Sequence, residues 1–317
     1  MRAITLDQFG GSDVLKVTEL PTPAPGPGEV RIRVAASGVN PVDWKIREGY
    51  LKTAFPYAFP LILGWECAGT IDALGEGASR FKRGDAVYAY TRMPTVQHGT
   101  YAEHIVLPES YVAAKPERLL MHEAAGVPLA GLTAYQGLFR GHDDVKPGAT
   151  VLVHAASGGV GMFAAQLARH AGATVIGTAG PHNQDFLREL GVHHPVNYRA
   201  GDFRDAVREI APDGVDLVFD CVGKDTLDRS YELVRPGGRL VGVVDTPSAD
   251  RARAHGLRLA HYHFVQPSAS ELAELGRLVD SRALRAHVSA IYALHDAARA
   301  LDASREGRTR GKAVLVM

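Results

Sequence analysis

Hydrophobic and polar positions follow two different patterns along the chain. In the first third, short apolar stretches alternate with period two between turn residues, as in Glu29–Val34 and in Asp85–Tyr90, which follows the Arg83-Gly84 turn. A period of two places successive side chains on opposite faces of a strand. Residues 1 to about 115 are therefore predicted to form short antiparallel strands of a barrel-like, β-rich domain.

From Thr150 onward, apolar strands alternate with amphipathic helices. The predicted strands and helices are, in chain order, Thr150–His154, Gly158–His170, Thr174–Thr178, Gln184–Leu190, Val215–Phe219 and Arg239–Val244. Such alternation predicts βαβ units and a parallel sheet covered on both faces. A helix over Ser270–Val279 and a strand over Lys312–Met317 are predicted to follow.

One turn in this second part carries the clearest chemical signal. Strand Val151–Val153 enters a run of small residues and then a helix, and Ala156, Gly158 and Gly161 occupy the three glycine positions of a dinucleotide fingerprint. Small residues let the backbone approach a pyrophosphate, which the helix N-terminus attracts. An ordinary tight turn is the alternative. The residues expected to bind the cofactor are Ser157, Gly158, Gly159, Val160 and Gly161.

The choice of cofactor depends on the end of the next strand, where NAD-binding proteins place an acidic residue for the ribose 2′-hydroxyl. Here the strand ends at Thr178, and no carboxylate follows until Asp185. A 2′-phosphate is therefore tolerated, and NADPH is predicted. The side chains that could donate to this phosphate, or could simply be solvated loop residues, are His182, Asn183, Tyr198 and Arg199.

Composition narrows the class of protein further. The 317 residues are 46% hydrophobic, with 35 Lys plus Arg and 35 Asp plus Glu, so the net charge is zero. That balance argues against nucleic acid or an acidic membrane surface as a partner. The N-terminus lacks the features of a secretory signal, so the cytoplasm is expected. Two cysteines, Cys67 and Cys221, exclude a disulfide framework and a four-cysteine zinc site.

Several segments, together with the glycine turn, resemble the medium-chain dehydrogenase/reductase superfamily, and within it the zinc-independent quinone oxidoreductase and enoyl reductase branch. These segments are Ala36–Asp43, Gly64–Gly69, Phe81–Asp85, Gly99–Glu103, Gly131–Ala134 and Arg235–Leu240. The resemblance implies an α/β protein with a GroES-like catalytic domain and a Rossmann doubly wound parallel-sheet domain that binds NADP. It assigns residues 1–121 and 257–317 to the catalytic domain and residues 122–256 to the nucleotide-binding domain.

The resemblance also indicates that no metal is bound. Zinc-dependent relatives carry a ligand cysteine where this sequence has Asn40 and a ligand histidine where it has Trp65, so that only Glu66 remains. A catalytic zinc site needs three protein ligands. The remaining histidines that could suggest a metal site, His255, His261 and His263, are too loosely spaced, and we predict none.

The implied reaction is hydride transfer from NADPH to a quinone or an α,β-unsaturated carbonyl, since these acceptors delocalise charge without a Lewis acid. Tyr50 resembles a tyrosine that faces the substrate and could donate a proton, although packing under a loop is an equal alternative. Asn40 is expected to face the nicotinamide. The other cofactor contacts implied are Thr133, Thr178, Val222 and Val243.

Two other functions stay open from the sequence. The chain could be a pathway-specific enoyl reductase or cyclase acting on a polyketide-type intermediate, or a protein that binds the cofactor without turnover. The resemblance further implies a homodimer through an edge strand of the nucleotide-binding domain, around Leu257–His261.

Overall fold

The chain divides into two compact units in the computed structural model, which describes residues 1–140 and 144–317. The first unit consists of Met1–Leu132, Gln266–Arg282 and Ala286–Met317. The second consists of Thr133–Val265 and Ala283–Arg285. The second unit is thus inserted into the sequence of the first.

The described residues form sixteen strands and ten α-helices. The strands are β1 (Arg2–Leu6), β2 (Lys16–Glu19), β3 (Glu29–Val39), β4 (Leu61–Ile62), β5 (Glu66–Leu74), β6 (Ala86–Tyr90), β7 (His104–Pro108), β8 (Val112–Ala114), β9 (Thr150–Val153), β10 (Thr174–Ala179), β11 (His194–Asn197), β12 (Val215–Asp220), β13 (Val234–Gly242), β14 (Leu259–Tyr262), β15 (Val288–Ala293) and β16 (Lys312–Val316). The helices are α1 (Pro41–Arg47), α2 (Met121–Ala124), α3 (Pro128–Phe139), α4 (Gly159–His170), α5 (Gln184–Glu189), α6 (Phe203–Ile210), α7 (Lys224–Asp228), α8 (Ala249–Ala254), α9 (Ala269–Asp280) and α10 (Ala297–Arg305). None of the helices described is long and apolar enough to cross a membrane.

The first unit is built on a sheet of order β15-β16-β3-β5-β6-β8, with β7 also paired to β3. Most of its pairs are antiparallel, and only β15 and β16 run parallel. Val30, Ile32 and Val34 are buried along β3, as the period of two predicts. A three-stranded sheet of order β2-β1-β4 lies in the same unit. This is the predicted GroES-like, β-rich domain.

The second unit contains a parallel six-stranded sheet of order β11-β10-β9-β12-β13-β14. Strand and helix alternate along the chain, and the central strands are buried almost throughout. The predicted Rossmann arrangement is confirmed. Strand β13 begins at Val234 rather than at the predicted Arg239, because an irregularity in its register with β12 accommodates Arg235-Pro236-Gly237-Gly238 within the strand.

The boundary after the parallel sheet differs from the predicted one. The sequence suggested that residues from 257 onward return to the catalytic domain. Leu259–Tyr262 instead forms β14, which pairs in parallel with β13, and the second unit extends to Val265. The earlier boundary also differs, because the first unit includes residues up to Leu132.

The C-terminal segment is tied to the N-terminal part of the first unit through a buried arginine. Arg47, at the end of α1, has no exposed surface, and its guanidinium donates to Ser12 Oγ at 2.8 Å, to Asp302 of α10 at 3.0 Å and to Glu48 at 2.7 Å. A buried cation of this kind requires its partners, because water cannot replace them.

We expect Arg47→Ala to lower the free energy of unfolding by about 3 kcal/mol, because it removes the buried member of these ion pairs and leaves a cavity. Urea denaturation measures this difference. Arg305→Ala is the matched control: it removes a half-exposed arginine that also contacts Glu48, at 3.2 Å, and should cost less than about 1 kcal/mol. If both variants lost the same free energy of unfolding, Arg47 would not be the arginine that stabilises this contact.

Candidate functional site

The glycine turn joins β9 to α4 by a close approach of backbone to backbone. Ala155 adopts a left-handed conformation with φ of +50°, and Gly158 N–H donates to Ala155 O at 2.9 Å. A Cβ atom on Gly161 would lie 2.2 Å from Ala155 O, so only glycine fits there. The first N–H groups of α4 have no acceptor within their own helix. The turn therefore leaves the first N–H groups of α4 as donors for a phosphate group, as a dinucleotide requires.

A chain of buried polar side chains holds this turn. His154 Nε2 lies 2.9 Å from Ser230 Oγ, and the Ser230 hydroxyl donates to Thr226 O at 2.6 Å. Ser230 must therefore accept from His154 Nε2–H. This leaves Nδ1 as the acceptor for the Thr178 hydroxyl at 3.1 Å. Thr178 Oγ1 in turn accepts the Ala155 N–H at 3.2 Å, so the strained residue of the turn is fixed from the end of β10.

Burial keeps His154 uncharged. The ring is buried, and desolvation lowers the pKa of His154 to about 3. Sequence reasoning missed this residue, although a histidine at the end of an otherwise apolar strand is a detectable signal. Its role here is to orient Thr178, which the sequence did single out as a cofactor contact.

The ends of the parallel strands bring most predicted cofactor contacts to one edge of the sheet. Thr178 lies at the end of β10 and His182 in the single turn that follows it, Tyr198 follows β11, Val222 follows β12 and Val243 follows β13. Tyr198 and Val222 are 48% and 43% exposed. Ligands of open α/β sheets bind outside the carboxyl ends of the strands, which is this edge.

The segments that follow β10 and β11 carry hydrogen-bond donors, and the first carboxylate after β10 is already paired with an arginine. The hydroxyl of Tyr198 lies 3.7 Å from the position that a Cβ on Gly180 would take, and the Arg199 guanidinium lies 5.9 Å from the Tyr198 ring centroid. Asp185, the first carboxylate after β10, pairs with Arg188 at 2.7 Å. This environment fits a 2′-phosphate better than a 2′-hydroxyl that needs an acidic acceptor.

The loop after β12 is held by a buried carboxyl group. Asp220 accepts from Val222 N–H at 3.1 Å and from Gly223 N–H at 2.8 Å, and burial raises the pKa of Asp220 to about 6. Cys221 lies beside it, and burial raises the pKa of its thiol well above the usual value. A reactive thiolate at Cys221 is therefore disfavoured.

Of the predicted contacts, Thr133 is a buried residue of α3 within the second unit. Asn40 and Tyr50 belong to the first unit. Tyr50 lies in the turn after α1, where its side chain is 67% exposed and its ring meets Trp44 edge to face at 5.8 Å. Its hydroxyl is thus accessible to a substrate, while its ring has a packing partner.

Asn40 immediately precedes α1 and is buried in the first unit. Its backbone N–H donates to Asp43 Oδ2 at 2.8 Å, and the Tyr101 hydroxyl donates to the same oxygen at 3.0 Å. Burial raises the pKa of Asp43 to about 7. Asp43 is thus the third residue of a capping box at the start of α1, in which its carboxyl group accepts from the backbone N–H of the N-cap residue Asn40.

The side chain of Asn40 belongs to a buried cluster with Glu66 and Lys312. Asn40 Nδ2 donates to Glu66 Oε1 at 2.8 Å, and the Lys312 ammonium donates to Asn40 Oδ1, to Glu66 Oε1 at 2.8 Å and to Val39 O at 3.1 Å. The second carboxylate oxygen of Glu66 accepts from Leu129 N–H at 2.7 Å. Lys312 was not among the predicted site residues.

This cluster does not suit a catalytic zinc ion. An ammonium group already occupies the oxygens of Asn40 and Glu66, and Trp65 offers no ligand atom. Throughout the described part of the chain, no group of three or more His, Cys, Asp or Glu side chains is arranged to hold a metal. Of the three histidines considered from the sequence, His255 stacks on Tyr231 at 5.9 Å, and His261 lies 6.4 Å from His263.

Trp65 is instead part of an aromatic wall. It is buried, with Phe55 at 5.6 Å and Tyr90 at 6.5 Å between ring centroids. The same indole lines a recess together with Thr91 and Met93. Packed aromatic rings, and not a ligand side chain, thus fill this position.

Comparison with known families agrees with both units. Residues 26–117 match the alcohol dehydrogenase GroES-like domain, and residues 190–315 match the zinc-binding dehydrogenase family. The quinone oxidoreductase of Homo sapiens is 36% identical over 248 residues, which are 77% of this chain and 73% of that protein. The 2-haloacrylate reductase of a Burkholderia species is 37% identical over 240 residues, 74% of this chain and 71% of the relative.

A protein that is named for a membrane, and not for a reaction, is also similar to this chain. The synaptic vesicle membrane protein VAT-1 homolog of Rattus norvegicus is 39% identical over 244 residues, or 76% of this chain. The match spans only 58% of that relative's length.

Solved structures match over the full chain. A structure described as NAD-dependent alcohol dehydrogenase has a TM-score of 0.90 and 33% identity, covering 100% of both chains. The Escherichia coli quinone oxidoreductase complexed with NADPH has a TM-score of 0.89 and 30% identity, also covering 100% of both. The chain therefore belongs to the medium-chain dehydrogenase/reductase superfamily, in the branch of the quinone oxidoreductases.

Proposed function

We propose that this protein is an oxidoreductase that transfers hydride from NADPH to a quinone or an α,β-unsaturated carbonyl without a metal ion. The observation that carries the proposal is the Asn40–Glu66–Lys312 cluster, in which an internal ammonium group takes the acceptors that a metal would need. The similar quinone oxidoreductases and 2-haloacrylate reductase support the same class of acceptor.

NADPH is proposed over NADH because of the region beyond β10 and β11. Tyr198 and Arg199 can donate to a 2′-phosphate there. The carboxylates nearest in sequence are already paired, Asp185 with Arg188 and Asp202 with Arg204 and Arg229. The Escherichia coli relative was solved with NADPH, which supports this choice, while another structural relative is described as NAD-dependent. A direct comparison of the two cofactors is therefore part of the test.

Bound NADPH supplies the hydride. The residues of this chain bind the cofactor, orient the acceptor and supply the proton. The turn of Ser157–Gly161 would hold the pyrophosphate, and Thr178 would contact the adenosine side of the cofactor. Trp65, buried among Phe55 and Tyr90, would pack beneath the acceptor. One hydride and one proton convert a quinone to its hydroquinone, so a donor near the acceptor oxygen completes the reaction.

The experiment is a turnover assay of the purified protein with NADPH or NADH and a panel of quinones and enones, before and after treatment with a chelator. We expect oxidation of NADPH at least about tenfold faster than of NADH at low cofactor concentration, a preference of about 1.4 kcal/mol. Chelation should leave the rate unchanged. Loss of activity on chelation, restored by zinc, would overturn the metal-free proposal.

Binding without turnover is the second candidate, because the similar VAT-1 homologs are named for a synaptic vesicle membrane and not for a reaction. Titration of NADPH fluorescence distinguishes it. Tight NADPH binding with no oxidation across the whole panel would support a binding protein and contradict the proposed enzyme.

Tyr50 is proposed as the proton donor to the acceptor oxygen, since its side chain is exposed. We expect Tyr50→Phe to lower kcat by about tenfold or more, because general-acid donors contribute at least that much. The control is Tyr57→Phe, which removes a hydroxyl that donates to Leu51 O at 3.0 Å. An unchanged kcat in Tyr50→Phe would remove Tyr50 from the mechanism and leave the reaction class intact.

A homodimer is proposed through β14, the edge strand of the parallel sheet. Leu259 and Tyr262 on this strand are 36% and 39% exposed, and an open strand edge offers unpaired backbone groups to a second copy. Light scattering should give twice the chain mass of 34.0 kDa. Leu259→Pro, which removes a strand N–H, should shift the mass toward the monomer. A monomeric wild-type protein would contradict the prediction.

A further inference from the structure

The buried ion pair between Glu66 and Lys312 has a specific effect on its neighbour Asn40. All three side chains are buried, and the pair is linked to Asn40 at both ends of its amide group. Burying an ion pair adds little to stability in general, because the desolvation cost offsets the attraction. The ion pair instead fixes the orientation of the Asn40 side-chain amide.

The two charges determine which way the amide of Asn40 points. Its Oδ1 accepts from the ammonium of Lys312, and its Nδ2 donates to the carboxylate of Glu66 at 2.8 Å. A rotated amide would place its NH₂ group against an ammonium and its oxygen against a carboxylate. Both contacts would be repulsive in a buried environment, so only one orientation is compatible with the charges.

The local backbone is shaped to hold this arrangement. A Cβ on Gly38 would lie 2.1 Å from Glu66 Oε1, and a Cβ on Gly126 would lie 3.2 Å from Lys312 Cβ. Both glycines therefore leave the space that the two long side chains use. Antiparallel pairing of Ala313 with Val39 sets the register that brings Lys312 beside Asn40.

We infer that Lys312 and Glu66 are positioning residues that make Asn40 a hydrogen-bond donor only, directed at the oxygen on which charge develops during hydride transfer. Asn40 Oδ1 is occupied, and Nδ2 carries a second N–H that no hydrogen bond within the described residues uses. A fixed donor stabilises a developing oxyanion without reorganisation. The inference rests on the proposed function, because it assigns Asn40 to the acceptor oxygen of that reaction.

The first test uses Lys312→Met, with Lys115→Met as the matched control. Lys115 also donates to backbone oxygens in the first unit, those of Pro116 and Leu119, but it does not contact the cluster. We expect Lys312→Met to lower kcat by about tenfold to 100-fold, while the affinity for NADPH and the KM for the quinone change by less than about threefold, since a lost oxyanion donor affects the transition state. Lys115→Met should keep the wild-type kcat.

Lys312→Arg retains the charge and is the rescue variant. We expect its kcat to lie well above that of Lys312→Met, because a cation still excludes the rotated amide. If Lys312→Met fails to fold, Lys312→Arg and Glu66→Gln carry the comparison, and Glu66→Gln should lower kcat in the same way. A folded Lys312→Met protein with the kcat of the wild type would overturn the inference.

A second measurement does not depend on turnover. In protein labelled with ¹⁵N on asparagine side chains, the Asn40 amide signals are assigned by their absence in Asn40→Ser. We expect two resolved, slowly exchanging signals in the wild type and rapid exchange in Lys312→Met. Rapid exchange already in the wild type would overturn the locked orientation. A wild type that shows locked signals but oxidises no NADPH would instead refute the proposed function alone.

Discussion

Gly161→Ala is expected to weaken NADPH binding about 100-fold, equivalent to about 2.7 kcal/mol. Gly161 lies in the first turn of α4, where alanine is intrinsically better than glycine by about 1 kcal/mol. The added Cβ would nevertheless stand 2.2 Å from Ala155 O and 2.8 Å from Ala156 Cα. The overlap with backbone atoms outweighs the propensity, so the helix must move away from the turn. Fluorescence titration of NADPH measures the loss.

Gly201→Ala is the matched control, since a Cβ at that position meets no atom within 4 Å. It should bind NADPH as tightly as the wild type. Thermal unfolding of both variants checks that the proteins are folded during the titration. A folded Gly161→Ala protein with wild-type affinity would show that the dinucleotide does not depend on this close approach.

Acid is expected to destabilise the protein partly through His154. The pKa of His154 falls from 6.5 to about 3 on folding because the ring is desolvated. Below the unfolded pKa the unfolded chain binds a proton that the folded chain does not, so the free energy of unfolding falls as the pH falls. Between pH 7 and about pH 4.5 this group should account for a loss of about 2.5 kcal/mol.

His154→Gln isolates this contribution. The variant should be less stable than the wild type at pH 7, since the contacts to Thr178 and Ser230 change. The difference between the two proteins should then shrink, or reverse, toward about pH 4.5 in urea denaturation. The control is His170→Gln, at an exposed position of α4, and it should follow the wild-type profile. Parallel profiles for wild type and His154→Gln would show that His154 is protonated in the folded state.

The sequence was sufficient to predict the main strands and helices and the fold class. Apolar periodicity located the strands around β3 and β6 and the βαβ alternation from Thr150, because side chains repeat with period two in strands and 3.6 in helices. The small residues at Gly158 and Gly161 predicted a phosphate-binding turn, because only such residues allow a close backbone approach. Parallel strand order then carried Thr178, Tyr198, Val222 and Val243 to one edge.

Partners distant in sequence could not be predicted in this way. Lys312 lies 272 residues from Asn40 and 246 from Glu66, and only the pairing of β16 with β3 brings them together. His154 and Ser230 are similarly separated by 76 residues. The boundary near residue 256 was placed too early for the same reason, because β14 shows its membership of the parallel sheet only through its pairing with β13.

The sequence by itself predicted a dinucleotide-binding fold, and it determined that Asn40 and Trp65 stand where zinc-dependent relatives carry a cysteine and a histidine ligand. Only the tertiary structure showed which cation lies beside Asn40 and Glu66 in place of a metal ion. An ammonium from the last strand fills the cluster, because sheet register, and not local sequence, determines which charge a buried carboxylate meets.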